Sequence, residues 1–309
     1  MRVGGLSVFV ALLFVLCDTD HALAWGPATH VGFARDVLAN LGLLPAAVAA
    51  ILWRHGLAYV YGNIAADIVF AKRLSRVKQF CHHWATAFRV HDSAQGDEAK
   101  AFAYGYLSHL AADTVAHGKY VPRQVMLSGC NVRFGHIYWE LRADSLAEEA
   151  NWRHLERVLE EDHDHHHEAL ATQITNTLLS YDLNRMLFEQ VNALAVRQSF
   201  RGTMGVWNRC SRWYLSPSLV SAYRSECVDR IVSILSEGAR SSLLREDPNG
   251  TSALMQVRVR RREQRRLKRQ GVPTTRRMLE SSRMLAPQPW HEMRGIELTM
   301  LGERYAAAV

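Results

Sequence analysis

The sequence contains few prolines, glycines and cysteines, the residues that break helices, allow tight turns and cross-link a chain. Its 309 residues include 8 prolines, 19 glycines and 5 cysteines. The low proline and glycine content excludes a collagen-like or linker-dominated chain, and 48% hydrophobic residues exclude wholesale disorder. The chain is long enough to form one large domain or two small ones.

Long hydrophobic runs are also missing. The longest apolar run, Leu6 to Cys17, is too short to cross a bilayer, which needs about 20 apolar residues. It follows Arg2 and precedes Ala22-Leu23-Ala24, an order typical of a secretory signal peptide, with a retained anchor as the alternative. We therefore expect cleavage of residues 1–24, which makes Trp25 the first residue of a secreted or periplasmic protein.

The cysteines that remain after this cleavage are Cys81, Cys130, Cys210 and Cys227. An oxidising compartment permits disulfides, and the short spacing favours a Cys210–Cys227 pair. The alternative is four small buried hydrophobic residues.

The excess of positive charge is confined to one end of the chain. Lys and Arg exceed Asp and Glu by 37 to 30 overall, and by 13 to 7 within residues 246–309. Eight basic residues lie within Arg258–Arg269. This run is open to three interpretations: a solvated helix, a contact with an anionic membrane surface, or a nucleic-acid patch.

Apolar residues recur every three or four positions between Trp25 and about residue 245, and convincing strand alternation is missing. This period predicts an all-α fold, with one helical stripe running from Ile174 to Leu187. The turn residues Asp247-Pro248-Asn249-Gly250 mark a boundary. We expect a catalytic domain over residues 25–245 and a basic extension, helical or disordered, over residues 246–309.

Histidines and carboxylates are spaced as metal ligands. His109, Asp113 and His117 lie one helical turn apart and project from one apolar face, where burial without a partner would be costly. His136 and Glu140 form a second pair with the same spacing. Further ligand types precede them: His30, Asp67 and the doublet His82-His83. Together they predict a multi-metal site of imidazole and carboxylate ligands.

A second histidine-rich tract, Glu160 to Glu168, contains four histidines. We interpret it as a solvated helix face or loop, with weak metal gathering as the alternative.

The ligand types follow one another in a fixed order: an amino-terminal Trp, then His, Asp, His, an H-x3-D with a further His, and an H-x3-E. This order resembles that of the zinc-dependent phospholipase C family, which shares its fold with P1-type nucleases. The resemblance covers about residues 25–145 by motif. It implies a multi-helix bundle of the phospholipase C/P1 nuclease type with up to three zinc ions. The three-residue gap between Asp113 and His117 departs from secreted bacterial members and is similar to glycosylphosphatidylinositol-specific phospholipase D.

The resemblance also implies a role for each ligand. One zinc would be held by Asp67, His82, His109 and Asp113, with His82 preferred over His83. A second zinc would be held by His117, His136 and Glu140. The third would be held by the free amine and carbonyl of Trp25 and by His30, with Asp113 bridging; Asp67 is the expected catalytic carboxylate.

The resulting prediction is a secreted, monomeric, zinc-dependent phosphodiester hydrolase of the phospholipase C type, acting on phospholipids through a metal-activated water. The alternatives are a P1-type nuclease acting on single-stranded nucleic acid and a non-catalytic metal-binding member of the fold.

Overall fold

The structure, a computed structural model, describes residues 25–70, 80–174 and 177–287. The predicted signal peptide, residues 1–24, lies outside these ranges, as does the end of the basic extension. The described chain folds into fourteen α-helices joined by short turns, with a π-helical turn after α5. In chain order they are α1 Pro27–Ala39, α2 Ala46–Arg54, α3 Gly56–Ala65, α4 Trp84–Ser93, α5 Gly96–Val115, the π turn Ala116–Tyr120, α6 Val121–Ser128, α7 Val132–Asp144, α8 Glu149–Leu159, α9 Asp164–Gln173, α10 Tyr181–Ala195, α11 Gln198–Cys210, α12 Pro217–Glu237, α13 Thr251–Arg269 and α14 Thr275–Arg283.

The prediction of an all-α fold is confirmed, because the described ranges contain no β-strand. None of the helices in these ranges is both long enough and apolar enough to cross a membrane. Helix α5 lies at the centre, and α3, α4 and α12 pack directly against it. Helix α1 packs on α3, α8 and α12 and completes the wall around the central helix.

Helices α3 and α5 approach each other unusually closely because each carries a glycine at the crossing point. A Cβ on Gly62 would lie 2.0 Å from the carbonyl oxygen of Phe102. A Cβ on Gly105 would lie 2.1 Å from the carbonyl oxygen of Tyr59. Backbone atoms cannot move aside as a flexible side chain can, so this crossing requires glycine at both positions. The crossing brings the end of α3 beside the middle of α5.

The first half of the basic extension belongs to the packed body. Helix α13 packs against α6 and the π turn and buries Leu254 and Val257. The guanidinium of Arg261, also buried, donates a hydrogen bond to the carbonyl oxygen of Gly129. Beyond it, Arg262 and most of the basic residues that follow are exposed. The domain boundary at residue 246 remains a prediction.

The expected disulfide between Cys210 and Cys227 is wrong, because the structure has all four described cysteines as free thiols. Cys210 is exposed at the end of α11, whereas Cys227 is buried inside α12 with its Sγ 3.7 Å from the carbonyl oxygen of Ala112. Short spacing in the sequence does not bring the pair together, because the second cysteine faces the central helix.

The helical stripe expected from Ile174 to Leu187 is also broken. Helix α9 ends at Gln173, and α10 begins only at Tyr181, where Ser180 caps it by accepting a hydrogen bond from the backbone N–H of Leu183. The apolar period therefore spans the end of one helix, a bend and the start of another.

We predict that Gly105→Ala destabilises the protein by at least about 2 kcal/mol, because the new methyl group would overlap backbone of α3. Denaturant unfolding measures the change in free energy of unfolding. Gly202→Ala in α11 is the matched control, since a Cβ there meets nothing within 4 Å. The control should be neutral or stabilise by up to about 1 kcal/mol. Equal stability of the two variants would contradict the close crossing.

Candidate metal centre

The central helix and the turn that follows it carry three of the predicted ligands. His109 and Asp113 lie one turn apart on α5, and His117 lies in the π turn. The sequence predicted a regular helix through all three, but the α-helical pattern ends at Val115. Turns of the π type occur frequently at functional sites, where the extra residue re-aims a side chain. Here the Nε2 of His117 comes to lie 3.8 Å from Oδ2 of Asp113.

Asp113 is the carboxylate on which the predicted ligands converge. Its Oδ2 lies 3.1 Å from Nε2 of His109 and 3.2 Å from Nε2 of His82. Its Oδ1 lies 3.5 Å from Nε2 of His30. Together with His117, four imidazoles from four parts of the chain face one carboxylate that is fully buried. Asp113 is therefore the carboxylate around which these rings meet, and its bridging role stays a prediction.

The tautomer of His109 follows from its other ring nitrogen. Nδ1 lies 2.7 Å from the carbonyl oxygen of Asn63, which can only accept, so Nδ1 carries the proton that is donated. A neutral His109 then presents a lone pair at Nε2, which lies 3.1 Å from Nε2 of His82. This separation is close to the roughly 3.4 Å between two nitrogen ligands on one tetrahedral zinc ion. Fixing one ring nitrogen on a carbonyl is the usual way in which proteins orient a histidine ligand.

Asp67 completes this group from the end of α3. Its Oδ1 lies 3.1 Å from Nε2 of His82, and its Oδ2 lies 3.8 Å from Nε2 of His109. The structure also separates the two candidate histidines, because His82 is buried in these contacts and His83 is exposed at the start of α4. His82 is therefore the member of the doublet that faces the site.

A second group forms where α7 passes the π turn. Nε2 of His136 lies 2.6 Å from Oε1 of Glu140, one turn further along α7. The ring centroids of His136 and His117 are 4.8 Å apart, and one ligand atom from each of the three residues lies within 4.8 Å of the others. All three side chains are buried. They could hold one metal ion next to the group around Asp113.

Trp25 and His30 approach from the amino-terminal side. The ring of His30 stacks on that of His109, with centroids 4.0 Å apart. The buried indole of Trp25 stacks on Tyr120, and its Nε1–H donates to the carbonyl oxygen of Ala112 at 3.4 Å. The start of the described chain is therefore fixed beside the residue that precedes Asp113.

The electrostatics of the buried groups favour a charged Asp113 beside a neutral His30 ring. Burial alone would raise the pKa of Asp113, but His109, His30 and His82 around it hold that pKa well below its usual range. Burial, together with the nearby His109, lowers the pKa of His30. Asp113 is thus charged and His30 neutral near pH 7, which are the forms that bind metals.

The residues fit zinc for two reasons: their ligand atoms are of the types that zinc binds, and several of these buried polar atoms lack a hydrogen bond in the described ranges. Neither ring nitrogen of His30 and neither carboxylate oxygen of Asp113 is aligned for a hydrogen bond within the described chain, although both side chains are buried. Buried polar atoms without such bonds are rare and costly. Imidazole nitrogens and carboxylate oxygens are ordinary zinc ligands, and a cation at this position would satisfy them.

Two residues near the predicted boundary support the site, and sequence reasoning assigned them only to a turn. The side-chain amide of Asn249 donates to the carbonyl oxygen of His82 at 3.0 Å. Gly250 has a φ of +58°, and a Cβ on it would lie 2.3 Å from the carbonyl oxygen of His117. The Asp247–Gly250 turn therefore packs on the backbone of two predicted ligands, and nothing in its sequence indicated that contact.

Comparison with known proteins identifies the family. The family model described as zinc-dependent phospholipase C matches residues 29–194. The match covers more than half of the chain, which therefore belongs to the zinc-dependent phospholipase C family. No curated protein and no solved structure gives a significant match.

The histidine-rich tract is only in part the solvated helix face or loop that we expected, because its acidic residues are exposed and most of its histidines are not. His163, His166 and His167 are buried, and only His165 of the four is exposed. The ring of His163 stacks on Tyr61, with centroids 3.4 Å apart. Burial lowers the pKa of His167 to about 4 and that of His166 to about 3, so both rings are neutral near pH 7. Three of the four histidines thus face the core, where α9 packs against α4 and His166 stacks on Phe102 of α5, while the acidic residues of the tract are exposed.

We predict that Asn249→Ala weakens zinc binding about 10- to 100-fold, the usual effect of removing an outer partner of a metal ligand. Competition with a chromogenic chelator measures the affinity. Asn40→Ala is the control, because the exposed Asn40 makes a similar side-chain hydrogen bond to the carbonyl oxygen of Asp36, which is not a predicted ligand. Unchanged zinc affinity in a folded Asn249→Ala variant would show that the turn does not support the site.

Proposed function

We propose that this member of the zinc-dependent phospholipase C family is an active phosphodiester hydrolase that cleaves phospholipids. The observation that carries the proposal is the buried carboxylate of Asp113, faced by four imidazoles and adjacent to a second group of His117, His136 and Glu140. Such a constellation is costly to bury without bound cations, and bound cations promote phosphodiester hydrolysis by stabilising negative charge and activating water.

The proposed ligand sets are those of the sequence analysis. They are Asp67, His82, His109 and Asp113 for one zinc; His117, His136 and Glu140 for a second; and Trp25, through its amine and carbonyl, His30 and the shared Asp113 for a third. The contacts of Asp113 with His30, His82 and His109 support its place in two of these sets.

The chemistry requires an attacking water and stabilisation of negative charge. Zinc held by these residues would stabilise negative charge on the phosphoryl oxygens and would lower the pKa of a bound water molecule. Asp67 is the carboxylate best placed to orient that water and accept its proton, because it is 7% exposed whereas Asp113 is fully buried. The bond that breaks joins phosphorus to the glycerol oxygen, so that the products are diacylglycerol and the phosphorylated headgroup.

Exposed apolar side chains on and near α7 support a lipid substrate. Phe134, one turn before Tyr138 on α7, is exposed, as are Val206 and Tyr214. Tyr138 packs edge-on against Trp207, with ring centroids 4.9 Å apart. Phe134 and Tyr138 lie about 160° around the helix axis from the ligands on α7, so this side of the helix suits contact with a lipid surface rather than the lining of the metal centre.

The proposal is tested with a substrate panel on the purified protein. We expect chelator-sensitive hydrolysis of a chromogenic phosphocholine ester and release of diacylglycerol from phosphatidylcholine vesicles. Release of phosphatidic acid instead would replace C-type with D-type cleavage. Degradation of single-stranded DNA without lipid cleavage would favour the P1-type nuclease, and bound zinc without either activity would favour a non-catalytic metal-binding protein.

The histidine doublet provides a matched pair of variants. We predict that His82→Ala loses at least one equivalent of zinc and at least about 100-fold in activity, because a ligand next to Asp113 is removed. His83→Ala, which truncates the exposed neighbour, should keep both. Metal analysis and the chromogenic assay measure the two quantities. Equal behaviour of the two variants would contradict the assignment of His82 as a ligand.

We propose that the protein is exported and that cleavage after Ala24 exposes the amine of Trp25 as a zinc ligand. The buried indole of Trp25 beside Ala112 supports this placement. A protein with one additional alanine before Trp25 should therefore bind one zinc fewer than the protein that starts at Trp25, because an amide nitrogen is a much poorer ligand than a free amine. Metal analysis of the two forms tests the role. Equal zinc content would exclude it.

We propose that the exposed part of α13 contacts anionic membrane surfaces as a monomer. Met255 and Val259 are exposed on this helix, and Arg262 and Arg266 continue the same stripe at helical spacing. An exposed stripe that is apolar at one end and basic at the other suits the interface between acyl chains and headgroups.

Removing two of these charges should weaken binding to vesicles that contain phosphatidylserine by about 25-fold in an Arg262→Gln/Arg266→Gln variant, since each basic residue contributes about 1 kcal/mol. Vesicle sedimentation measures the binding. Arg153→Gln/Arg157→Gln removes two exposed charges from α8 and is the control. The same loss in both double variants would indicate that only net charge matters.

A further inference from the structure

A second cluster of metal-ligand side chains lies outside the proposed zinc site. Glu98 lies in the first turn of α5, and His165 and His166 lie in the first turn of α9. One ligand atom from each of the three residues lies within 4.8 Å of the others. None of the three belongs to the sets assigned around Asp113. We call Glu98, His165 and His166 the peripheral cluster.

The four histidines of the tract differ in what their ring nitrogens contact. Nε2 of His163 lies 2.7 Å from the carbonyl oxygen of Val158. The nitrogens of His167 lie 2.6 Å from the hydroxyl of Tyr61 and 2.9 Å from that of Tyr181. These two histidines have structural hydrogen bonds that account for their burial.

No hydrogen bond at its Nε2 explains the burial of His166 among the described residues. Its side chain is 2% exposed, and its Nε2 has no hydrogen-bond partner among the described residues. Its ring stacks on Phe102, one turn after Glu98, with centroids 4.4 Å apart, so its orientation is fixed by packing. A buried ring nitrogen without a partner costs free energy that a bound cation would recover.

His165 and Glu98 lie close enough together to bind the same cation. Nε2 of His165 lies 3.6 Å from Oε1 of Glu98, close to the roughly 3.4 Å between two ligand atoms on a tetrahedral ion. Both side chains are about half exposed, so small rotations can bring their ligand atoms closer. Five further carboxylates lie in the same tract: Glu160, Glu161, Asp162, Asp164 and Glu168. Asp164 is paired with Arg185, and the other four favour a cation in the neighbourhood.

We propose that the peripheral cluster binds one divalent transition-metal ion, such as zinc, through His165, His166 and Glu98. Two imidazoles and one carboxylate suit metals of intermediate softness. The ion would join the first turn of α9 to the first turn of α5, and water would fill the remaining position. Because two of the ligands are exposed, the bound ion would exchange with solution more readily than ions in the buried centre.

Equilibrium dialysis of the holoprotein against buffered zinc tests this site. The wild-type chain should take up one zinc more than either His165→Ala or Glu98→Gln, or bind that zinc at least about tenfold more tightly. Asp97→Asn is the matched control, because it removes the same charge from the same helical turn without removing a proposed ligand. It should behave as the wild type.

Imidazole NMR of the same samples gives a readout other than activity. Added zinc should shift the ring resonances of His165 and His166 and leave those of His91 unchanged. Equal zinc uptake by the wild type, His165→Ala and Glu98→Gln, with no shift of these two resonances, would overturn the proposal. Because the comparison is a difference between variants that keep every residue of the Asp113 centre, the result does not depend on the proposed function.

Discussion

The contact on which the rest of the structure depends is the meeting of four imidazoles around the buried carboxylate of Asp113. His30 comes from α1, His82 from the segment before α4, and His117 from the π turn. A carboxylate at this depth is costly unless hydrogen-bond donors or cations compensate its charge. Placing the imidazoles there fixes the order in which the helices surround α5.

That arrangement in turn requires the close crossing of α3 and α5. Gly62 and Gly105 allow the two backbones to touch. The same contact places Asn63 where its carbonyl oxygen orients His109, and Asp67 where its carboxylate reaches His82. A wider crossing would move both groups outward by the width of a methyl group. Packing and ligand geometry are therefore set by the same two small residues.

The sequence predicted the parts of the site that depend on helical spacing. His109 and Asp113, and likewise His136 and Glu140, lie one turn apart, and a helix necessarily places such pairs on one face. The all-α fold followed from the same period. What could not be predicted depends on contacts between distant segments. Asn249 lies 167 residues from His82, with which it forms a hydrogen bond.

The errors have the same origin. Charge and histidine content suggested a solvated tract, yet α9 is held against α4 by packing that composition does not report. A short gap between Cys210 and Cys227 suggested a bond, yet helix direction separates them. The π turn at His117 accommodates one more residue per turn than an α-helix does. The spacing of ligand residues in the sequence cannot distinguish the two. For the histidine-rich tract and the cysteine pair, tertiary contacts decided the structure that local spacing did not predict.

The balance of charge at the centre limits what the site can bind. Three carboxylates, Asp67, Asp113 and Glu140, lie among the imidazoles of the centre. With these imidazoles in the neutral form that binds metals, the centre without cations would repel a phosphodiester. Two zinc ions reverse the sign of this charge, and a third increases the excess to about +3 by simple addition. The basic residues of the chain cannot do this, because most of their excess lies in α13 and beyond. On the proposed function, affinity for the phosphate therefore depends on metal occupancy, while the arginines act on the surrounding surface. Catalysis and surface attachment would then respond differently to chelators and to salt, since salt screens exposed arginines far more than buried ions.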